Sequence, residues 1–348
     1  MSATTRDGRL PGLGVAGLLG REAGMLLATF LGLLLVTFLI GRVMPSDPVI
    51  AALGADVPEA TYQRVRAEMG LDDPIWQQFG RYVGAVARLD FGTSILTGQP
   101  VVSDIARVFP ATLELATAGV LIGTLLGVPL GLLAAVFRGT AVDGAVRAVT
   151  LVGYSAPVFW KGLMLLLVFY ALLGWTEGPG RVSIAYEGLV EPRTGLMLVD
   201  AALAGEWDAF HDALSHLVLP AISLGYGAAA YIGRMTRSFA LDQLRQEYVT
   251  AARVKGLPEW RVVLGHVLPN CAVQLVTAIA LTYGLLLEGA VLTETVFAWP
   301  GLGQYMTKAM FNADMNAVLG GTFVIGVVFV ALNLLSDVLY RLLDPRAR

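Results

Sequence analysis

Charged residues are scarce in this chain of 348 residues: they make up 15% of it, while hydrophobic residues make up 56%. Soluble domains carry about 25% charged residues, so the composition argues against a water-soluble globular protein. The formal net charge is only -3, which argues against nucleic acid as a partner. Cys271 is the single cysteine, and this excludes an intrachain disulfide and a cysteine metal cluster.

Lysine and histidine are equally rare, and their positions exclude several kinds of catalysis. None of the three lysines lies in the Gly-Lys-Ser/Thr of a phosphate-binding loop. Ser155 lacks the second glycine of a nucleophile elbow, and His216 is the histidine nearest to membrane depth that could act as its base. No spacing of ligand residues resembles a metal site. We therefore predict no catalytic residue, no metal ligand and no cofactor bound by this chain.

Long apolar runs are what the sequence has instead. Four runs of 19 to 23 residues carry no charge, and two further apolar stretches are interrupted by charged residues. Each is long enough to cross a hydrocarbon core of about 30 Å as one helix. The sequence therefore predicts an all-α polytopic membrane protein with six transmembrane helices. The predicted spans are 23–43, 112–137, 144–174, 216–236, 270–293 and 317–340.

Loop charges predict the orientation of these spans. The loop 234–271 holds six basic and three acidic residues, whereas 175–215 holds two basic and seven acidic ones. Basic loops stay on the cytoplasmic side, so both termini, in the tails 1–22 and 344–348, are predicted to be cytoplasmic. The span 144–174 is longer than a bilayer needs, and two crossings there would reverse everything downstream.

The predicted extracytoplasmic loop 44–111 is too long to be a simple connection. Pro58 and Pro74 are placed to open short helices, and Gly70 is placed to end the first one. Ile75 and Phe79 share one face of the second helix. That face predicts either a helix lying on the membrane or a docking surface for a partner.

The inner loop 237–269 is the most informative stretch. Its pattern predicts a helix, a turn at Gly256, and a second helix opened by Pro258 and closed near Pro269. Ala251, Ala252 and Gly256 make one side small enough for close approach by another protein. A basic loop lying on anionic lipid is the alternative.

This loop resembles the signature of the permease subunits of ATP-binding-cassette importers, which is Glu-Ala-Ala, three residues, Gly, nine residues and Ile-x-Leu-Pro. Thr250 replaces the Glu and His266 the Ile, departures similar to the dipeptide, oligopeptide and nickel branch. The ATPase-coupling residues that the resemblance implies are Thr250, Ala251, Ala252, Gly256, Leu268 and Pro269.

Further motifs in the same order extend the resemblance over nearly the whole chain after residue 23. They are Pro45-Ser46-Asp47-Pro48, Gly70-Leu71-Asp72-Asp73-Pro74, Leu89-Asp90-Phe91-Gly92-Thr93-Ser94, the stretch 294–303 and the C-terminal tail. The family implies a core, here 112–343, that pairs with a second homologous permease in a bacterial or archaeal cytoplasmic membrane. Two cytoplasmic ATPases that bind ATP and Mg, and an extracytoplasmic solute-binding protein, are the other implied partners.

Polar residues inside the predicted spans are the candidates for a translocation pathway. Glu288 is the one acid well inside a span, and intramembrane acids are functional by default. Hydrogen bonding between helices is the alternative role. The candidates are Ser155, Tyr226, Gln274, Thr277, Tyr283 and Glu288.

Two other functions compete with the importer permease. A proton-coupled secondary transporter would show paired carboxylates in several spans and inverted halves, and the sequence shows neither. An intramembrane hydrolase would rest on Ser155 and His216 alone. The sequence does not name the cargo, so peptides, nickel chelates and glutathione-like molecules all remain open.

Overall fold

The computed structural model describes residues 15–43, 48–54 and 56–343, which are almost entirely helical. They fall into two compact units, one up to Leu89 and one from Asp90 onward. Residues 1–14, most of the motif at 45–48, and the tail 344–348 lie outside the described residues. The predicted tail 1–22 overlaps the first helix, which begins at Val15.

The described part of the first unit contains one long helix and three short ones. The helix α4 (Ile75–Val86) packs on α1 (Val15–Val43) through Phe38 and Phe79, whose rings meet edge to face at 5.4 Å, and the hydroxyls of Thr37 and Tyr82 lie 2.8 Å apart. The face of α4 that carries Phe79 therefore covers part of α1 and does not lie on the membrane surface along its whole length. The bounds of these helices are α1 Val15–Val43, α2 Pro48–Leu53, α3 Glu59–Glu68 and α4 Ile75–Val86.

The second unit is built around a pair of long helices, α5 (Val101–Val136) and α9 (Trp207–Leu244). Two of its helices run on through π-helical turns, α7 through Leu166–Leu172 and α11 through Val263–Val267 into α12. Its helices are α5 Val101–Val136, α6 Ala141–Ser155, α7 Val158–Leu165, α8 Met197–Ala204, α9 Trp207–Leu244, α10 Glu247–Val254, α11 Glu259–Val262, α12 Leu268–Val296, α13 Leu302–Phe311 and α14 Met315–Leu343.

Small residues allow α5 and α9 to lie in close contact. A Cβ added to Gly123 would stand 2.5 Å from the Cβ of Ala228, and one added to Gly131 would collide with the carbonyl oxygen of Gly233. Glycine recurs every fourth residue from Gly119 to Gly131, so the backbones approach along one face. The buried residues Leu115, Leu224 and Leu286 belong to the core beside this seam.

Within the described residues, four helices are long and apolar enough to cross a membrane. They are Val101–Val136, Trp207–Leu244, Glu259–Val296 and Met315–Leu335, and a shorter apolar helix covers Leu27–Gly41. The helices begin or end well outside the uncharged runs; α5 begins at Val101 and not at 112. The first turns of α5 include the charged residues Asp104 and Arg107. Asp104 accepts hydrogen bonds from Arg107 and Thr97, which stabilise its charge there.

The predicted span 144–174 is not one helix. Ala156 is extended, with ψ of 131°, and the helices on either side of it are bent by 102°. The residue before a proline is disfavoured in the helical region, so Pro157 explains the break. The prediction of a single helix over 144–174 is therefore wrong, and the pair α6 and α7 is a broken span or a re-entrant loop.

Candidate functional site

The segment between α9 and α12, residues 245–267, which we call the coupling segment, forms the predicted helix, turn and helix. Gly256 has φ of +80°, a left-handed conformation that favours glycine. Its N–H donates to the carbonyl of Arg253 at 2.9 Å, which ends α10, and Pro258 opens α11. The prediction that the second helix closes near Pro269 is wrong. The helix continues to Val296, because a π-helical turn before Leu268 alters the hydrogen bonding where proline lacks an N–H.

Buried apolar residues anchor this segment to the transmembrane helices. Val249 and Ala252 on α10 and Val262 on α11 pack with Leu132 of α5 and with Cys271 of α12. The first four of these side chains are at most 7% exposed, and that of Cys271 is fully buried. The inner side of the segment is therefore packed against the ends of α5, α9 and α12.

The small residues of the signature have two different roles. Ala252 lies in the core just described, where a larger side chain would not fit. Ala251 and Gly256 are exposed, and a Cβ added to Gly256 would meet nothing within 4 Å. Thr250 and Pro269 are also exposed, and Leu268 is half-buried. The glycine is needed for its backbone conformation and leaves open space outside the chain.

An ion pair spans the turn between α10 and α11. The guanidinium of Arg253 donates to both carboxylate oxygens of Glu259, at 3.1 and 2.5 Å. These hydrogen bonds raise the pKa of Arg253 above its ordinary value. The two side chains are nearly half exposed, so the pair orients the helices and contributes about 1 kcal/mol or less to stability.

Several apolar side chains on the outside of this segment are exposed. Val254 is 82%, Trp260 61% and Leu264 53% exposed, and the guanidinium of Arg261 lies over the Trp260 ring. We call the surface formed by Ala251, Val254, Gly256, Trp260 and Leu264 the coupling face. An exposed apolar patch rimmed by charges is typical of a protein-binding surface.

The candidate pathway residues do not form one cluster. Ser155 is exposed at the end of α6, and Thr277 donates to the Val273 carbonyl of its own helix at 3.1 Å. Tyr226 donates to the carbonyl of Val149 at 2.7 Å, which joins α9 to α6. For Tyr226, the structure supports the alternative role of hydrogen bonding between helices.

The candidates on α12 also divide between two roles. The hydroxyl of Tyr283 lies 3.0 Å from that of Thr117, which joins α12 to α5. Gln274 and Glu288 are exposed. They share an exposed face of α12 with Leu281, since intervals of seven residues return to the same side of a helix.

Lys161 and Glu294 are two of the buried charged residues that the sequence reasoning did not select. The amino group of Lys161 on α7 donates to the carbonyl of Gly153 at 3.0 Å and lies over the Tyr226 ring. Glu294 is fully buried and accepts hydrogen bonds from the Thr112 hydroxyl at 2.6 Å and the Gln304 N–H at 2.9 Å. The sequence signal was present for Glu294, which opens the motif 294–303, but Glu288 lay deeper in the predicted span.

The hydrolase pairing of Ser155 with His216 is not formed. Nδ1 of His216 lies 2.9 Å from the Asp212 carbonyl of its own helix. Ser155 lies at the end of α6 near Gly153, which contacts Tyr226, ten residues along α9 from His216. Ten residues of α-helix span about 15 Å. The two side chains therefore cannot act as nucleophile and base.

Two family models match the chain. One, described as a binding-protein-dependent transport system inner membrane component, matches residues 127–348, and its N-terminal counterpart matches residues 16–116. The chain belongs to this family. It is therefore a permease subunit of an ATP-binding-cassette importer, as its loop signature predicts, and the competing secondary transporter is not supported.

Similar proteins include two peptide permeases. The chain is 42% identical to the di/tripeptide transport system permease protein DppB of Pseudomonas aeruginosa, over 95% of this chain and 98% of that protein. It is 40% identical to the dipeptide transport system permease protein DppB of Escherichia coli, over 94% and 97% respectively. These identities extend the family assignment over both units.

A solved structure supports the fold. The methionine transporter MetNI in an inward-facing conformation matches with a TM-score of 0.53 and 19% identity, over 69% of this chain and 96% of that chain. The predicted fold class, an α-helical polytopic membrane protein of the importer permease type, is confirmed. The count of six spans stays a prediction.

Proposed function

We propose that this permease forms half of a translocation pathway for peptides or a related small solute. The solute would be delivered by an extracytoplasmic binding protein, and the pathway would be completed by a second homologous permease. Two cytoplasmic ATPases would bind ATP and Mg, and this chain would bind no cofactor. In this assembly both termini and the coupling face lie on the cytoplasmic side of the membrane. The names of the two similar DppB proteins support a peptide cargo.

The coupling face is the observation that carries the proposal. It leaves three large apolar side chains exposed on a segment whose inner side is firmly packed. Such a surface transmits a force only if a partner binds it differently in two states. An ATPase that opens and closes during hydrolysis satisfies this condition, and a lipid surface does not.

Two exposed residues of α12 are proposed to face the pathway. Gln274 and Glu288 lie on a helix whose first turn is continuous with the coupling segment through the π-helical turn. Polar side chains exposed to lipid are unfavourable, so the exposed face of α12 is best placed against the second permease or the solute.

Gly256 and Gly139 provide a matched test. Both have φ of +80° and neither has an atom within 4 Å of an added Cβ, but only Gly256 lies on the coupling face. Asparagine tolerates positive φ, so Gly256→Asn and Gly139→Asn introduce equal bulk with little strain. With the complete importer in proteoliposomes, Gly256→Asn should lower labelled dipeptide uptake about tenfold or more.

The control variant Gly139→Asn should leave uptake near that of the unaltered protein. Co-purification of the ATPases is measured on the same samples, since loss of uptake should accompany loss of binding or uncoupled hydrolysis. Equal uptake by the two variants would contradict the assignment of the coupling face.

A further inference from the structure

A basic cavity lies along α6 and the C-terminal parts of α5 and α9. Its volume is about 550 Å³. Among the described residues that line it, Asp242 is the one acid. Its lining includes the five arginines Arg138, Arg147, Arg234, Arg237 and Arg245. The cavity therefore carries a strong positive charge and has room for a polar group of several atoms.

A buried acid neutralises only part of this charge. Asp143, on the first turn of α6, accepts two hydrogen bonds from Arg237, each of 2.9 Å, and lies 3.4 Å from Arg147. In the part of the chain that the structure describes, the other three arginines form no ion pair. An anion from outside the chain would complete the cavity.

The position of one unpaired guanidinium is fixed by aromatic rings. Arg234 lies 5.3 Å from the ring centre of Tyr154 and 5.6 Å from that of Tyr231. Contact with aromatic faces holds a guanidinium while its N–H groups stay free in the plane. A planar fork of donors matches the oxygens of phosphate in bidentate fashion. The chemistry of the cavity thus fits a phosphate group.

The rim of the cavity favours a lipid over a free anion. Leu151 and Tyr154 line it and are 65% and 66% exposed. A soluble phosphate would leave these side chains in water, whereas a phospholipid would cover them with its glycerol and acyl groups. Basic pockets between transmembrane helices at the cytoplasmic surface bind anionic headgroups.

We propose that this arginine cavity binds the phosphate-bearing headgroup of an anionic phospholipid in the cytoplasmic leaflet. The choice of leaflet rests on the orientation given under the proposed function. Arg245 directly follows α9, and one residue separates it from the start of α10. A bound headgroup therefore stabilises the end of α9 next to the coupling segment.

Native mass spectrometry of the full chain from nanodiscs tests the proposal. The nanodiscs contain equal amounts of phosphatidylglycerol and phosphatidylcholine, and the retained lipid is counted for each variant. The unaltered chain should retain phosphatidylglycerol selectively. Arg234→Gln should lower this retention about fivefold, the factor that one basic residue near an anionic surface supplies, and the triple variant with Arg138→Gln and Arg245→Gln should abolish it.

Lys308→Gln is the matched control, because it removes one exposed positive charge from α13 and should leave retention unchanged. Asp143 and Arg237 are not altered, and equal melting temperatures verify that the variants fold. Equal retention of the two lipids, or no effect of the triple variant, would overturn the proposal.

Two further outcomes would also overturn it. Displacement of the lipid by millimolar inorganic phosphate would assign the cavity to a soluble anion. Lipid retained by the isolated chain but absent from the complete importer would show that a partner protein fills the cavity. The main measurement of lipid retention uses the isolated chain and does not depend on transport. A lack of lipid retention would therefore leave the transport proposal standing. A lack of transport by the importer would still allow lipid retention to be measured.

Discussion

An ion pair between Glu114 and Arg181 ties the loop after α7 to α5, and breaking it should strongly destabilise the second unit. Nη2 and Nε of Arg181 donate to the same carboxylate oxygen at 2.6 and 2.9 Å. The backbone N–H of Leu198 donates to the other oxygen at 2.8 Å. The side chains are 16% and 7% exposed, so water reaches neither charge freely.

The size of the effect follows from this burial. Arg181→Met keeps an unbranched apolar side chain but leaves the Glu114 carboxylate buried without its cation, which costs about 3–5 kcal/mol. For a unit of this size, about 3 kcal/mol corresponds to a decrease of roughly 6 °C or more in the melting temperature. Adding Glu114→Gln should recover part of the loss, because the amide oxygen still accepts the Leu198 hydrogen bond.

Thermal unfolding of the purified chain in detergent, followed by tryptophan fluorescence, measures the effect. Arg193→Met is the control, since Arg193 is an exposed arginine of the same loop. It should change the melting temperature by about 1 °C or less. An equally small change for Arg181→Met, or no recovery in the double variant, would refute the reasoning.

Two further variants test packing and pH dependence by the same unfolding assay. Gly123→Ala should destabilise the chain by about 1–3 kcal/mol, because the new Cβ would stand 2.5 Å from that of Ala228. Gly289 has open space around it, so the control Gly289→Ala should leave the stability unchanged. Equal effects of the two variants would contradict the close contact between α5 and α9. Burial alone would raise the pKa of Asp200, but hydrogen bonds from Thr194, Gly195 and the Arg193 N–H outweigh it and hold this pKa below its usual range. Asp200 therefore contributes stability that is present above the unfolded pKa of about 3.9 and is lost as the pH falls through the folded pKa. Asp200→Asn should lower the melting temperature at neutral pH and weaken its acid dependence, and an unchanged acid dependence would count against this account.

Long uncharged runs were sufficient to predict an α-helical membrane protein, but not the ends of its helices. Asp104 lies in the first turn of α5, where an acidic side chain is favourable, and Arg107 and Tyr305 lie within reach of its carboxylate. The contact with Tyr305 joins residues far apart in sequence and leaves no local pattern. Pro157, in contrast, is a local signal, and the bend of 102° could have been predicted from it.

The coupling segment was predicted better than the pathway. The turn at Gly256 depends on residues adjacent in sequence, and Pro258 reinforces it. Whether Ala251 or Ala252 faces outward depends on the core formed with α5, which a single sequence does not reveal. The pathway candidates were chosen as polar residues in apolar spans. Tyr226 and Tyr283 bond to neighbouring helices, and the place of all six candidates in a pathway stays a prediction.

The energy source of uptake is the most direct test of the central claim. The complete importer, with its binding protein, is reconstituted in proteoliposomes, and uptake of a labelled dipeptide is measured with internal and external conditions controlled. Uptake should require ATP on the ATPase side, stop with orthovanadate and persist when a protonophore collapses the proton gradient. Uptake without ATP that stops with the protonophore would contradict the claim.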